Sequence, residues 1–347
     1  MTLPRVTIAI PCLNEERHIA ACVTDAATQD YPRNLIEILV ADGGSSDGTR
    51  KILSAMARRD RRIRVLDNPT RIQATGLNVA IRSSSGDVIV RMDAHARYAK
   101  DYVRASVRAL ARTGADNVGG PFPGRAMRSQ HPGTRFQRAV SLALESKLGL
   151  GGAAHHEGTN GRWVATVWCG AFRRRAFERA GLFDPNAITN EDAELNHRIR
   201  AAGGGVYLDP SIAAHLHPRT SHREVARQFF RYGFGRARTM LKHGSLTWRP
   251  LVPAAALASG AAAMLFAPRV AYAMLASYAG ASLEEAVRLG SHEGVIGVAT
   301  IASVFPVMHV AQACGLAAGL VHHALHPSWS TREELLPSRD ALRRDVA

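Results

Sequence analysis

The chain has 347 residues, enough for one large domain with an appendage or for two domains, and 46% of them are hydrophobic, enough for a real core. Its formal charge of +15, mostly arginine, suits an anionic partner: nucleic acid, a phosphorylated substrate or an anionic membrane. Four cysteines, Cys12, Cys22, Cys169 and Cys314, form no C-x-x-C pair, which argues against a disulfide frame or zinc site and reads as buried thiols in a reducing compartment.

The N-terminus runs straight into an apolar, strand-like segment, so no signal peptide is expected. "RVTIAIPCLNEE" gives a strand over Val6–Ile10 that breaks at Pro11, followed by a helix to about Thr28. "IEILVADGGSSDGT" gives a second strand, Ile36–Val40, ending in an acidic, glycine-rich turn, then a helix to about Arg59. "IRVLDN" is a third strand and "IQATGLNVAIRSS" a third helix. "GDVIVRMDAHARY" is a fourth strand that runs into acids and a histidine. Strands alternating with helices predict parallel pairing and an α/β sheet, with polar clusters at the strand ends where such sheets bind ligands. Residues 114–165 carry few strand signals. "TVWCGAFRRRAFERAG" then reads as strand and helix, and "GGVYLDPSIAAHLH" as another strand closing the α/β domain near residue 217.

The C-terminal third differs. Pro250–Pro268 has no charged residue, another uncharged stretch follows Arg269 to Leu283, and Gly294–Val321 again has none. The last is long enough to span a bilayer, and a buried helical hairpin is the soluble alternative. Arg236, Arg238, Lys242 and Arg249 precede the first stretch, and Arg339, Arg343 and Arg344 follow the last. The positive-inside rule then puts both flanks in the cytoplasm.

"ITNEDAELNHRIRAAGG" places Glu191 and Asp192 between a polar turn and a helical run. Asn190 reads as an N-cap, acids suit the first turn, and Leu195, Ile199 and Ala202 follow at helical spacing. This is either a helix start alone or a helix start that also presents a base. In "RMDAHARY", Asp93 and His95 lie two apart, a spacing that at a strand end delivers a carboxylate and an imidazole to one side. A divalent cation bridging phosphates needs few protein ligands, because the substrate supplies the other oxygens. Asp42 ends another strand. "HREVARQFFRYGFGRAR" puts Arg223, Arg227 and Arg231 on one helical face and Val225 and Phe229 on another. His215 and His217 could reach a metal or a diphosphate, or be structural. Trp163 and Trp168 could stack on a sugar or pack in the core. His155 and His156 receive no role.

Four motifs in order, "PCLNEE", "ADGGSSDGT", "RMDAHARY" and "NEDAELNHR", followed by "QFFRY", resemble the family 2 glycosyltransferases of GT-A fold over about residues 5–240. The "DAH" form, "GAFRRRAFERAGLFD" and the apolar C-terminus are similar to succinoglycan-type glucosyltransferases. The resemblance implies a Rossmann-like mixed sheet over residues 1–240, an apolar helical membrane region over 241–327 and a charged tail over 328–347. It implies that Pro11, Asn14, Glu15 and Asp42 meet the uridine of a UDP-sugar. Asp93 contacts ribose or sugar and shares with His95 the binding of Mn2+ or Mg2+. His95 stands where the family commonly has a second aspartate, and a neutral imidazole suits manganese better than magnesium. Asp192 is the implied base of an inverting transfer, with Glu191 orienting the acceptor or the helix. Gln228, Arg231 and Tyr232 match a Q-x-x-R-W motif tied to diphosphate and acceptor, although tyrosine replaces tryptophan.

The expected activity is transfer of a hexose, glucose foremost, from a UDP-sugar to a lipid-linked glycan at the cytoplasmic face of the cell membrane, in extracellular polysaccharide synthesis. The alternatives are a polyprenyl-phosphate glycosyltransferase, a polysaccharide synthase, or a non-catalytic sugar-nucleotide-binding membrane scaffold. Nucleic acid is not an expected partner, since charge alone does not explain acids at strand ends.

Overall fold

Seven consecutive buried residues make β1 (Val6–Cys12) in the computed structural model, which describes residues 2–121, 133–150, 160–216 and 218–336. A strand apolar on both faces has to be covered on both, as in parallel α/β sheets. β1 is accordingly interior. Its parallel neighbours are β2 (Ile36–Asp42) and β4 (Val88–Arg91), and β3 (Ile63–Asp67) extends the sheet beyond β2. Helices α1 (Ile19–Ala27), α2 (Thr49–Arg59) and α3 (Gln73–Arg82) make the crossovers, which is the alternation read from the sequence, and α4 (Tyr102–Thr113) follows farther on.

The strands after α3 are short. They are β5 (Ala96–Tyr98), β6 (Asn117–Gly119), β7 (Arg162–Trp163), β8 (Ala171–Arg173), β9 (Val206–Leu208) and β10 (Ala214–Leu216). The eight-stranded sheet has the order β3-β2-β1-β4-β8-β6-β9-β7, while β10 and β5 form a separate antiparallel pair. β8 runs antiparallel to both β4 and β6, so the sheet is mixed, as the GT-A resemblance implies.

Four details depart from the sequence reading. β1 continues through Pro11 to Cys12. Beyond Ala9 it pairs only with β2, and a proline is tolerated where one side of the strand lacks a ladder partner. Residues 114–165 contain β6 and the helix α5 (Arg135–Glu145), whose start carries a capping box of Thr134 and Gln137. The segment after Gly204 makes two strands, β9 and β10. Cys314 is exposed, whereas Cys12, Cys22 and Cys169 are buried as expected, and all four are free thiols. Burial, with Asp42 alongside, pushes the Cys12 thiol up to about 12, so it stays protonated.

Packing divides the chain into two units. The first is Met1–Gln130, Glu157–Leu216 and Trp329–Ala347; the second is His131–His156 and His217–Ser328. These limits differ from a boundary at residue 240, because helices on both sides of it share one apolar core. The first unit also holds α6 (Arg174–Ala180) and α7 (Glu191–Ala201). In the second, α8 (His222–His243) buries Val225 and Phe229 in a cluster with Val140 of α5 and Phe305 and Met308 of α11 (Gly294–Leu325). Between α8 and α11 lie α9 (Leu251–Phe266) and α10 (Pro268–Gly290). A Cβ on Gly233 would stand 2.2 Å from the Gln312 carbonyl oxygen, and one on Gly315 2.0 Å from that of Phe230. Glycine at both places lets the α8 and α11 backbones touch. Pro268–Leu325 includes a window with mean hydropathy 1.8, 28% buried, that is long and apolar enough to cross a membrane by length and composition. α10 continues to Gly290 and includes Glu284, Glu285 and Arg288.

Candidate active site

Three adjacent strands, β2, β1 and β4, deliver polar residues at their carboxyl ends, the position at which open α/β sheets bind ligands. Asp42, the last residue of β2, is fully buried. It accepts hydrogen bonds from the Ser45 hydroxyl (2.5 Å) and the Ser45 N–H (3.2 Å) and pairs with Arg50 Nε at 3.0 Å. The loop after β1 is fastened to this turn. The Asn14 N–H donates to Ser45 Oγ (2.8 Å), Asn14 Oδ1 accepts from the Ser46 N–H (2.9 Å), and the Glu15 N–H donates to Thr49 Oγ1 (2.8 Å). Pro11, Asn14, Glu15 and Asp42 therefore meet in one place.

Asp93 and His95 do not continue a strand. β4 ends at Arg91, and the chain turns, with the Ala96 N–H donating to the Asp93 carbonyl (3.0 Å), before β5 begins. The two side chains have different hydrogen-bond partners, although the His95 charge still acts on Asp93. His95 Nδ1 lies 3.2 Å from Glu15 Oε1. Asp93 is buried and accepts from four donors: Arg91 Nε (2.8 Å) and Gln73 Nε2 (3.1 Å) on Oδ1, Arg91 Nη2 (3.3 Å) and Trp168 Nε1 (3.2 Å) on Oδ2. Burial alone would raise its pKa, but the Arg91 charge and hydrogen bonds outweigh it and hold the carboxyl below its ordinary value.

Arg91 also reaches the acid pair. Its Nη1 lies 2.9 Å from Glu191 Oε1, a charge contact without hydrogen-bond alignment. Glu191 and Asp192 open α7, with Glu191 buried and Asp192 partly exposed. Asp192 Oδ1 accepts from the Ala193 N–H at 2.7 Å, which fixes the carboxylate at the helix start. Asn190 stands at the N-cap position, but its side chain makes no capping hydrogen bond. It adopts the left-handed conformation (φ 64°), which Asn tolerates better than most residues. One guanidinium here faces two buried carboxylates and neutralises one of them. Burial pushes Glu191 up to about 7; Arg91 pulls against this shift, and the neighbouring Asp192 adds to it.

Among the described residues, the non-glycine positive-φ positions are Asn14, Arg71, Cys169 and Asn190. Three of them adjoin side chains of this site: Glu15, Trp168 and Glu191. Backbone strain of this kind costs of order 1–3 kcal/mol per residue and gathers where side chains must be aimed.

Sequence reasoning missed Arg91 and Gln73. Arg91 had a legible signal, since it lies inside "RMDAHARY" two residues before Asp93. Trp168 turns its indole N–H to Asp93, and Trp163 is 59% exposed, edge-on to Tyr207 at 5.3 Å. His215 is buried on β10; His155, His156 and His217 lie outside the described residues. Gln228, Arg231 and Tyr232 belong to α8 in the second unit. There Gln228 Nε2 donates to Tyr232 Oη (2.7 Å), Gln228 Oε1 accepts from Arg219 (3.2 Å), and Arg231 and Tyr232 are exposed. Among the described residues, no group of three or more His, Cys, Asp or Glu side chains is arranged to hold a metal ion.

The mixed α/β sheet thus carries acids at the end of β2, in the turn after β4 and at the start of α7. Residues 7–181 match the profile of glycosyl transferase family 2, and the chain belongs to that family. It is 37% identical over 242 residues to the succinoglycan biosynthesis protein ExoA of Rhizobium meliloti, covering 69% of this chain and 71% of that protein. It is 25% identical over 236 residues to a Methanococcus voltae enzyme named dolichyl N-acetyl-alpha-D-glucosaminyl phosphate 3-beta-D-2,3-diacetamido-2,3-dideoxy-beta-D-glucuronosyltransferase, covering 66% of this chain and 71% of the enzyme. Among solved structures, the Pyrobaculum calidifontis mannosyltransferase in complex with GDP-Man and Mn2+ superposes with a TM-score of 0.61 at 20% identity, over 92% of this chain and 88% of that one. This likeness establishes the GT-A fold.

Proposed function

We propose that the protein is an inverting glycosyltransferase that moves a hexose, glucose foremost, from a UDP-sugar to a lipid-linked glycan in extracellular polysaccharide synthesis. One observation carries the reading: the Asp42 turn, the Asp93 turn and the Glu191–Asp192 helix start converge at the carboxyl edge of one sheet, the last two joined through Arg91. The relationship to the succinoglycan protein supports the pathway class.

In this mechanism the uridine lies against the Pro11–Glu15 loop and Asp42. Asp192 accepts the proton of an acceptor hydroxyl while that oxygen attacks the anomeric carbon, and the bond to UDP breaks on the opposite face. An ordinary carboxylate suffices, because the hydroxyl proton becomes acidic only as the new bond forms. Glu191 holds the helix start and the acceptor side. Asp93 meets the donor by exchanging its partner Gln73 for a donor group, while Trp168 keeps its hold.

A divalent cation fits His95 better than Asp93. His95 and Glu15 together offer an imidazole and a carboxylate, whereas all four acceptor directions of Asp93 are taken by protein donors. When bound, Mn2+ or Mg2+ would neutralise charge on the departing diphosphate. The Mn2+ named with the mannosyltransferase supports this choice of ion. Gln228, Arg231 and Tyr232 are assigned to the diphosphate and acceptor on their motif alone. The apolar Pro268–Leu325 segment and the net charge support attachment to the membrane with the catalytic unit on its cytoplasmic face.

The test is transfer by membranes containing the full chain, with a panel of UDP-hexoses and Mn2+ or Mg2+. Metal-dependent transfer of one hexose to endogenous lipid supports the reading. UDP-sugar binding without transfer to any acceptor fraction would favour the non-catalytic scaffold.

A further inference from the structure

We propose that Arg91 is a positioning residue that ties the donor-side acid Asp93 to the start of the helix carrying Asp192; the inference rests on the transferase reading above. Arg91 is the last residue of β4, at the centre of the sheet, and only 4% exposed. Nε and Nη2 grip the two oxygens of Asp93 at 2.8 and 3.3 Å, while Nη1 points to Glu191 Oε1 at 2.9 Å. A guanidinium is planar and its donors are fixed in a fork. The positions of Asp93 and Glu191 are therefore set by one rigid group, and Asp192 is the next residue along α7.

The geometry also explains why a buried charge is retained here. A buried guanidinium between two buried carboxylates contributes little net stability compared with apolar packing. It does fix the separation of groups that act on opposite sides of the reacting carbon, and a misplacement of about 1 Å in such a constellation can cost roughly 100-fold in rate. Lysine keeps the charge of Arg91 but lacks the fork. It can satisfy Asp93 or Glu191, not both in this plane.

The experiment is a double-mutant cycle on the full chain in membranes, with Arg91→Lys, Glu191→Gln and the pair. Initial transfer rates are taken at saturating UDP-glucose, or whichever UDP-hexose of the panel the wild type uses, with UDP affinity and thermal unfolding measured in parallel. Arg91→Lys should fold, bind UDP within threefold of wild type, and lose roughly 30-fold in maximal rate. Glu191→Gln should lose roughly 10-fold, and the pair should be no slower than Arg91→Lys alone, because both changes cut one tether. Multiplying losses in the pair would overturn the proposal. So would an Arg91→Lys enzyme within threefold of wild type, or a rate loss that vanishes at a temperature where the variant is fully folded. Should Arg91→Lys fail to fold, the cycle is run with Arg91→Gln in its place: losses that multiply in the pair overturn the proposal, and a pair no slower than Arg91→Gln alone upholds it. Asp192→Asn runs alongside. If it matches wild type, the transferase mechanism itself has failed; if it is inactive while Arg91→Lys is normal, only the role of Arg91 has.

Discussion

The indole N–H of Trp168 donates to Asp93 Oδ2 at 3.2 Å, and Trp168 precedes Cys169, whose backbone is left-handed (φ 47°). The strained residue aims the ring, and the ring holds the acid. Trp168→Phe keeps most of the ring and removes the donor. We expect a loss of about 2 kcal/mol in urea unfolding, the usual worth of a hydrogen bond to a buried charge. The Michaelis constant for the UDP-sugar should rise roughly 10-fold through the same loss. Unchanged values in both measurements would separate Trp168 from Asp93.

Asp42 is fully buried and already paired with Arg50 and Ser45. Asp42→Asn leaves Arg50 with Asp67 as its remaining carboxylate partner and alters the surface offered to the base. Calorimetry with UDP should show affinity reduced by at least roughly 10-fold, in line with the loss of a charged hydrogen bond. UDP affinity within twofold of wild type would remove Asp42 from the nucleotide site.

Burial pushes the Glu191 carboxyl up to about 7, above its ordinary value of 4.5. A carboxyl whose folded pKa is raised binds more protons in the folded state between those two values. Its contribution to stability is fully present below pH 4.5 and is lost as pH rises through about 7. The urea midpoint of wild type, taken relative to that of Glu191→Gln, should therefore fall from pH 5 to pH 8. A difference that is flat or rises over this range would contradict the assignment.

Gly315 lets α11 meet the Phe230 carbonyl, since a Cβ there would stand 2.0 Å from its oxygen. Gly315→Val must push α8 and α11 apart. A cost of about 3 kcal/mol is expected from overpacking, read as a lower thermal midpoint of the full chain in detergent. A midpoint within two degrees of wild type would show that the two helices do not need this approach.

The parallel half of the sheet was legible because β1 to β4 alternate with helices and every crossover is local. Asp42, Asp93 and Asp192, the acids proposed for the site, could be singled out in the sequence because each stands at or just beyond the end of an apolar strand or in the first turn of a helix. The turn at 92–95 was not legible, since "RMDAHARY" alternates as well as any strand; the break comes from Tyr98 and Asp93 closing a tertiary turn. β6 to β9 are two or three residues long, too short for periodicity to register, and they are held by partners remote in sequence. Asn190 has the composition of a cap and a different use, because its backbone rather than its side chain starts α7. Arg91 escaped notice because an arginine in a strand ordinarily reads as an edge or exit residue, and only tertiary structure brings Glu191 to it.

The central claim is that Asp192 takes the acceptor proton. The direct measurement compares Asp192→Asn with wild type in membranes, by transfer from the panel of UDP-hexoses and by UDP binding. The account predicts a transfer rate lower by roughly 1000-fold, within the span seen when a general base is lost, and UDP affinity within threefold of wild type. Transfer by Asp192→Asn within tenfold of wild type would contradict it.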